Sequence, residues 1–190
     1  MTMTMTTTSS SSRLSAPVRA AFRSATPDDA ARLAAFAEAT FRASFGPHNT
    51  AADMDAYCAG AFGSAQQRAE LADPARRTEL VTIDDELAGY AQLRSGPPPA
   101  FITGEAPIEL LRFYIDQRWH GRGLAQSLMH HTLEVARRSG ARTVYLSVWD
   151  RNDRAIAFYA RQGFTLAGSK DFLLGADHQI DHVMTRAIDQ

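Results

Sequence analysis

Two largely apolar runs in the second half of the chain predict buried strands. The first covers residues 108–115, and the second, Thr143–Trp149, is rich in strand-favouring residues and contains no glycine or proline. Between them the apolar positions change to helical spacing, and the following residues share one face of an amphipathic helix: Ala125, Leu128, Met129, Leu133 and Ala136. The helix is expected to run to about Ser139, because Gly140 supplies a stop signal.

The flanking segments add helices in the first half of the chain and strands at both ends. Strands are predicted at residues 18–23, 79–83, 87–94, 164–172 and 180–186, and helices after Thr26, after Asn49 and around residues 64–71. A hairpin turn is expected at residues 84–85. This order of elements predicts a mixed α/β layer fold.

The first 17 residues form a different kind of segment. They are dominated by Thr and Ser, so they have no face that could pack and no apolar core of a signal peptide. We therefore interpret residues 1–17 as a disordered extension and residues 18–190 as a single domain.

Composition and charge narrow the class of protein. A chain of 190 residues with 45% hydrophobic residues is long enough for one domain with its own core. The formal net charge of −1 argues against nonspecific nucleic-acid binding, and no apolar stretch approaches the roughly 20 residues that span a bilayer. The single cysteine, Cys58, excludes an internal disulfide, and its apolar neighbours favour a buried packing role. We expect a cytoplasmic protein without nucleic-acid or membrane partners, and a homodimer is left open.

The loop between the first strand and the helix carries the first candidate chemistry. Gly121 and Gly123 let a phosphate approach the backbone closely, and Arg122 adds a positive charge. The first N–H groups of the following helix have no intrahelical partner and lie at the positive end of its dipole. A dinucleotide fingerprint fails because Gln126 stands where its third glycine belongs, and no Walker loop is present. The loop indicates a phosphate-bearing ligand, or else a tight turn in which both glycines are structural.

A second block follows at the spacing of one strand. It consists of Asn152, Ala155, the pair Phe158-Tyr159 on a short helix, and Gly163-Phe164. Together with residues 120–125, this block resembles the signatures of the GCN5-related N-acetyltransferases, whose acetyl-CoA loop is Gln/Arg-x-x-Gly-x-Gly/Ala. The resemblance covers roughly residues 18–186. The loop departs from the family at His120, where Gln or Arg is usual, which weakens a side-chain contact and leaves the backbone cradle intact.

This resemblance implies both a fold and a cosubstrate. The fold is a mixed, mostly antiparallel sheet flanked by helices, in which the strands ending near Ile115 and Trp149 splay apart. Acetyl-CoA would lie in that wedge, with a backbone N–H near Ile115 facing the thioester oxygen. The residues implied to bind it are Tyr114, Ile115, His120, Gly121, Arg122, Gly123, Leu124, Ala125, Asn152 and Tyr159. Asn152 has a second role open to it, as the cap of the short helix.

A closer resemblance is to the polyamine (spermidine/spermine) acetyltransferases of the PaiA type. It rests on residues 108–115, on residues 146–149 and on the tail at residues 172–181. It implies direct transfer of an acetyl group to a primary amine, with polyamines as one acceptor class. The alternatives left open are a peptide N-terminus, an antibiotic amine, a catalytically silent acyl-CoA sensor, and an interaction module with a structural glycine turn.

Two residues are candidates for proton transfer in such a reaction. Tyr159 is the candidate acid for the departing thiolate, because a phenol with a pKa of about 10 is protonated at neutral pH. Its alternative is an aromatic core residue. Glu109 is the candidate base, directly or through water, with a structural ion pair as the alternative. Strand alternation places Glu109 on the face of Phe113 and opposite to Arg112.

Weaker candidates complete the set. Three carboxylates could attract a cationic amine, although single surface carboxylates are usually just solvated: Asp53, Asp55 and Asp116. The histidines at positions 120, 130 and 131 show no metal-ligand spacing, so no metal is predicted.

Overall fold

Seven strands and five α-helices occur in the part of the chain that the structure describes. The structure is a computed structural model and describes residues 20–174 and 177–188. Its strands are β1 (Ala20–Ser24), β2 (Arg76–Ile83), β3 (Glu86–Arg94), β4 (Pro107–Ile115), β5 (Thr143–Trp149), β6 (Thr165–Leu174) and β7 (Asp177–Ala187). Its helices are α1 (Ala30–Phe45), α2 (Ala51–Ala61), α3 (Ser64–Ala72), α4 (Leu124–Arg138) and α5 (Asp153–Arg161). Each predicted strand and helix is present, with shifted ends, and the proposed extension at residues 1–17 lies outside the described residues.

One sheet joins the described strands in the order β1-β2-β3-β4-β5-β7-β6. Neighbouring strands are antiparallel except β4 and β5, which run parallel. Their pairing begins at Pro107 with Thr143 and ends at Leu110 with Leu146. Beyond that point β4 stays paired with β3, and β5 with β7, so the two strands diverge towards Ile115 and Trp149. The mostly antiparallel, splayed sheet implied by the sequence is confirmed.

A β-bulge in β4 decides which way its side chains point. The register between β3 and β4 shifts by one residue at Leu111. Leu110 before the bulge and Phe113 after it pack in the same apolar cluster, although simple alternation would put them on opposite faces. Glu109 therefore shares a face with Arg112 instead of Phe113. The alternation predicted from the sequence is wrong at this point, because one extra residue reverses the pattern.

The sheet separates two apolar clusters. One packs Leu128 and Met129 of α4 and Tyr159 of α5 against β5 and its neighbours. The other joins α1 and α2 to β2 and β3, and it contains Cys58, whose predicted role as a buried packing residue is confirmed. Because the gap between β4 and β5 opens between these two layers, residues from both layers reach it.

Hydrogen bonds from capping residues begin the first two helices at the positions that the sequence predicted. The hydroxyl of Thr50 accepts a hydrogen bond from the N–H of Asp53 at 3.2 Å and starts α2. Near α1, the N–H of Thr26 donates to the carboxylate of Asp29 at 2.9 Å, and a short 3-10 turn precedes the α-helix. Among the described residues no helix is long and apolar enough to cross a membrane.

Candidate functional site

A cleft of about 600 Å³ occupies the gap between the diverging ends of β4 and β5. Its walls come from α1 and α2 on one side and from α4 and α5 on the other, with residues of β6 and β7 completing them. Aromatic rings make up much of the lining: Phe41, Phe45, Tyr57, Phe62, Phe113, Tyr114, Trp119, Trp149, Phe158, Tyr159 and Phe172. A cleft of this size with both apolar and polar lining suits a small organic ligand.

The glycine loop that precedes α4 borders this cleft. Gly121 and Gly123 have φ angles of 73° and 80°, in the left-handed region that favours glycine. A Cβ atom built on either residue would meet no other atom within 4 Å, so the loop faces open space. Gly123 directly precedes α4, and no side chain caps that helix. The first N–H groups of α4 are therefore available to an anion in the cleft.

A hydrogen-bonded pair forms a polar wall beside the loop. The Nη1 of Arg154 lies 2.8 Å from the Nδ1 of His120, and the Nε2 of His120 lies 3.1 Å from the carbonyl oxygen of Ile115. A guanidinium group only donates, so Nδ1 accepts from Arg154 and Nε2–H donates to the carbonyl. Neutral His120 thus links the end of β4 to α5.

The end of β4 presents a backbone N–H group to the gap. The N–H of Asp116 donates to the carbonyl oxygen of Ala88 in β3 at 2.9 Å. Because hydrogen-bonding directions alternate along a strand, the N–H of Ile115 points away from β3 and into the gap. Gly89 of β3 lies opposite Ile115. Only glycine fits there, because a Cβ would lie 2.8 Å from the carbonyl oxygen of Tyr114. The N–H of Ile115 is thus placed to donate to a ligand in the cleft.

Most residues implied to bind acetyl-CoA meet at this cleft. Those in its lining are Tyr114, Ile115, His120, Gly121, Gly123, Ala125, Asn152 and Tyr159. Leu124 instead packs in the core under α4, and Arg122 is exposed, with its guanidinium carbon 5.2 Å from the centre of the Trp119 ring. Tyr114 directs its ring away from the loop and stacks on Tyr90 at 5.6 Å, so its backbone is the part near Ile115.

Tyr159 packs as an aromatic core residue and also lines the cleft, and its role as an acid stays a prediction. It is 9% exposed, and its ring packs among Phe113, Phe158 and Phe164 at centroid distances of 5.4 to 6.3 Å. Burial raises the pKa of its hydroxyl, so the phenol is protonated at neutral pH. Asn152 caps α5, where its Oδ1 accepts from a backbone N–H at 3.1 Å.

Glu109 lines the cleft and forms an ion pair with Arg94. The residue is 4% exposed, and its Oε2 accepts from the Nε of Arg94 at 2.8 Å and also from Nη2. Arg94 is its cross-strand neighbour on β3. The ion pair that was one interpretation of Glu109 is therefore present, and a role as base stays a prediction.

The weaker carboxylate candidates do not meet at the cleft. Asp55 pairs with Arg42 at 2.9 Å, and Asp116 pairs with Arg118 at 2.9 Å. Asp53 accepts a hydrogen bond from the hydroxyl that caps α2 at 2.6 Å. None of the three is among the described residues that line the cleft.

The histidines of α4 lie elsewhere too. His131 approaches Glu79 with an Nε2 to Oε2 distance of 2.8 Å, and His130 and His131 line a separate groove beside β1. Within residues 20–174 and 177–188, no three His, Cys, Asp or Glu side chains are grouped so that they could hold a metal ion.

Sequence reasoning missed one carboxylate in the cleft, Asp181 of β7. It is 8% exposed, and burial raises its pKa, an effect that the charge of Lys170 opposes. The signal was present in the sequence, because Asp181 lies two residues from Gln179 and two from Val183. It therefore shares their buried face of the strand. A carboxylate at a buried strand position is the same pattern that drew attention to Glu109.

The splayed sheet, the open glycine loop and the aromatic cleft define a class of protein. The chain belongs to the Acetyltransferase (GNAT) family, which it matches over residues 34–164. It is an N-acetyltransferase and therefore an acyltransferase enzyme. The family resemblance drawn from the two sequence blocks is confirmed.

Relatives and solved structures agree with this assignment. An uncharacterized N-acetyltransferase of Mycobacterium tuberculosis is 35% identical over 160 residues, which cover 84% of this chain and 98% of the relative. A spermine/spermidine N(1)-acetyltransferase of Bacillus subtilis is 30% identical over 90 residues, 47% of this chain and 59% of the relative. The PaiA N-acetyltransferase of Thermoplasma acidophilum, solved in complex with coenzyme A, superposes with a TM-score of 0.73 at 15% identity, covering 90% of this chain and 99% of that one. This last similarity establishes the shared fold.

Proposed function

We propose that this enzyme transfers an acetyl group from acetyl-CoA to a primary amine, directly and without an acyl-enzyme. The observation that carries the proposal is the glycine loop before α4. Gly121 and Gly123 face open space, and the first N–H groups of α4 have no side-chain cap. A pyrophosphate is the kind of anion that such a helix start binds, and the Arg154 guanidinium beside the loop adds positive charge.

The thioester end of the ligand would lie further along β4. The N–H of Ile115 points into the gap and would donate to the carbonyl oxygen as negative charge develops on it. Tyr159, a protonated phenol in the cleft lining, is the proposed acid for the departing thiolate.

Direct transfer is supported by the position of the cysteine relative to the cleft. No cysteine is among the described residues that line it. The single cysteine, Cys58, packs in the cluster between α1 and α2, and burial raises the pKa of its thiol. A buried, protonated thiol is a poor nucleophile.

A polyamine is the proposed acceptor class. The cleft lining includes two buried carboxylates, Glu109 and Asp181, among aromatic rings. Carboxylates and ring faces both attract an ammonium group. The partial similarity to a spermine/spermidine N(1)-acetyltransferase supports the same class.

Two measurements test the proposal in sequence. Thermal unfolding with and without millimolar acetyl-CoA measures binding, and we expect a clear rise in the melting temperature. CoA release from acetyl-CoA is then followed with spermidine, a neutral amine, an aminoglycoside and a peptide with a free N-terminus. We expect spermidine to accelerate CoA release most.

The possible results separate the alternatives. An unshifted melting curve contradicts acetyl-CoA binding at this site. A shifted curve with no amine-dependent CoA release identifies an acyl-CoA sensor, and preference for the peptide or the neutral amine contradicts the polyamine assignment.

A further inference from the structure

We propose that Asp181 receives the ammonium group of the acceptor and takes its proton. The acceptor is then a primary amine that arrives as a cation, and Asp181 is a catalytic residue. This inference rests on the proposed function of acetyl transfer to an amine. Asp181 faces Trp149, the last residue of β5, in the β5–β7 register, so it stands where β5 borders the gap.

Asp181 differs from the other buried carboxylates of the described chain. Each of the others has a basic partner: Asp29 with Arg23, Glu70 with Arg112, Glu79 with His131, and Glu109 with Arg94. Asp181 has no ion pair and no side-chain hydrogen bond to any described residue. A buried charge is unfavourable unless it is paired, so the missing partner points to a cationic ligand.

The charged groups near Asp181 leave its oxygens free. Lys170 is its register neighbour on β6 and favours the ionised carboxylate, but it lies beyond ion-pair distance. The charge of Asp150 opposes ionisation of Asp181, and His182 favours it. The charge of Asp181 in turn raises the pKa of Tyr57 in α2. An arriving ammonium therefore meets a carboxylate that no described basic group already occupies.

Aromatic rings frame the approach to Asp181. Tyr57 and Phe172 meet edge to face at 5.8 Å, and Phe45 and Trp149 lie 6.2 Å apart. All four rings line the cleft and connect the helices α1 and α2 to the strands β5 and β6. Ring faces attract a cation, so this frame would guide an ammonium group to the carboxylate.

Glu109 is less suited to the same task. Its Oε2 already accepts two hydrogen bonds from the guanidinium of Arg94. Its carboxylate is therefore already held in a charge-assisted pair. Asp181 has no such partner, and its burial favours the protonated form that a base must reach.

The proton balance assigns a role to each group. The acceptor ammonium gives one proton to Asp181 and becomes a neutral amine, whose lone pair forms the C–N bond to the thioester carbonyl carbon. The C–S bond breaks, and its electron pair stays on sulfur. The nitrogen loses a second proton to solvent as the amide forms. The sulfur takes a proton from the Tyr159 hydroxyl, the proposed donor, and the phenolate regains one from solvent. Asp181 then releases its proton to solvent, so the products are the amide, the CoA thiol and one proton.

The test compares an acceptor that needs deprotonation with one that does not. Spermidine is protonated at neutral pH, whereas methoxyamine is already a neutral amine. Asp181→Asn should lower kcat/KM for spermidine by about 10²–10⁴-fold and change the value for methoxyamine little. Asp171→Asn removes an exposed carboxylate of β6 outside the cleft lining and should leave both values unchanged.

The pH profile gives an independent readout. In the wild type, kcat/KM for spermidine should fall as the pH drops through the raised pKa of Asp181. In Asp181→Asn that limb should vanish, and the rate should instead rise with the fraction of free amine. Asp181→Ser should behave in the same way as Asp181→Asn. It replaces the Asn variant in the test if that variant does not fold.

The outcomes distinguish this inference from the proposed function. Equal losses for spermidine and methoxyamine, or an unchanged kcat/KM for spermidine, would overturn the role of Asp181. Either result leaves acetyl transfer itself standing. A wild-type enzyme that binds acetyl-CoA and acetylates neither amine would instead contradict the proposed function.

Discussion

His120 and Arg154 join the glycine loop to α5 through a hydrogen bond of 2.8 Å between Nδ1 and Nη1. The other ring nitrogen of His120 bonds the carbonyl oxygen of Ile115, so one imidazole connects the loop, β4 and α5. This residue stands where the family usually has Gln or Arg. The imidazole therefore supports the loop through contacts within the protein.

Replacing His120 by Ala should loosen the loop. Each lost hydrogen bond is worth about 0.5–1.5 kcal/mol, so we expect acetyl-CoA affinity to fall roughly two- to tenfold. Isothermal titration with acetyl-CoA measures the change. His130→Ala, a histidine of α4 outside the cleft, is the matched control and should leave affinity unchanged. Equal affinities of both variants would contradict a supporting role for His120.

A β-branched side chain at Gly123 should abolish acetyl-CoA binding. The Gly123 φ of 80° is strained for such a residue by about 1–2 kcal/mol, and a side chain there would fill the space proposed for phosphate. In the wild type, acetyl-CoA at about a hundred times its Kd should raise the free energy of unfolding by roughly 2.7 kcal/mol. Gly123→Val should lose this increase while still folding. Gly60→Val in α2, where an added Cβ also meets open space, should keep it.

Removal of the Tyr159 hydroxyl should slow acetyl transfer. A general acid contributes about 10²–10⁴-fold, so Tyr159→Phe should lower kcat by that range while acetyl-CoA affinity changes little. Steady-state transfer to the best amine gives the rate, and the melting temperature shows whether the ring still packs. Tyr145→Phe removes a hydroxyl from another buried tyrosine, outside the cleft lining, and should leave kcat unchanged. Full activity of Tyr159→Phe would show that Tyr159 serves only in packing.

Asp29 should make stability depend on pH. The hydrogen bonds from Arg23 hold the pKa of its carboxyl at about 2, below the ordinary value of 3.8. A folded-state pKa that is lowered adds stability above the unfolded pKa, and this stability is lost as the pH falls towards 2. Because solvent screens the half-exposed Arg23, Asp29→Asn should cost only about 1 kcal/mol near neutral pH and progressively less in acid. Urea unfolding over this range measures it, and a cost that stays constant would contradict the ion pair.

Local chemistry explains how much of the fold could be predicted. The ends of α4 and β5, the cap at Thr50 and the open turn at Gly123 follow from interactions within a few residues of each position. Such interactions depend on neighbours in the chain, so a sequence contains them directly. The family was predictable for the same reason, because its cofactor loop and its second block are local motifs.

The sequence alone determined the order of the elements, the glycine loop and the class of enzyme, whereas tertiary structure decided which carboxylates lie in the cleft and which of them has a basic partner. The bulge at Leu111 reversed the side chains that follow it, and so placed Glu109 opposite to Phe113 and beside Arg94. Asp181 is left without a partner because β7 sets it against the diverging end of β5. A bulge and a missing partner both depend on residues far away in the chain, which no local pattern specifies.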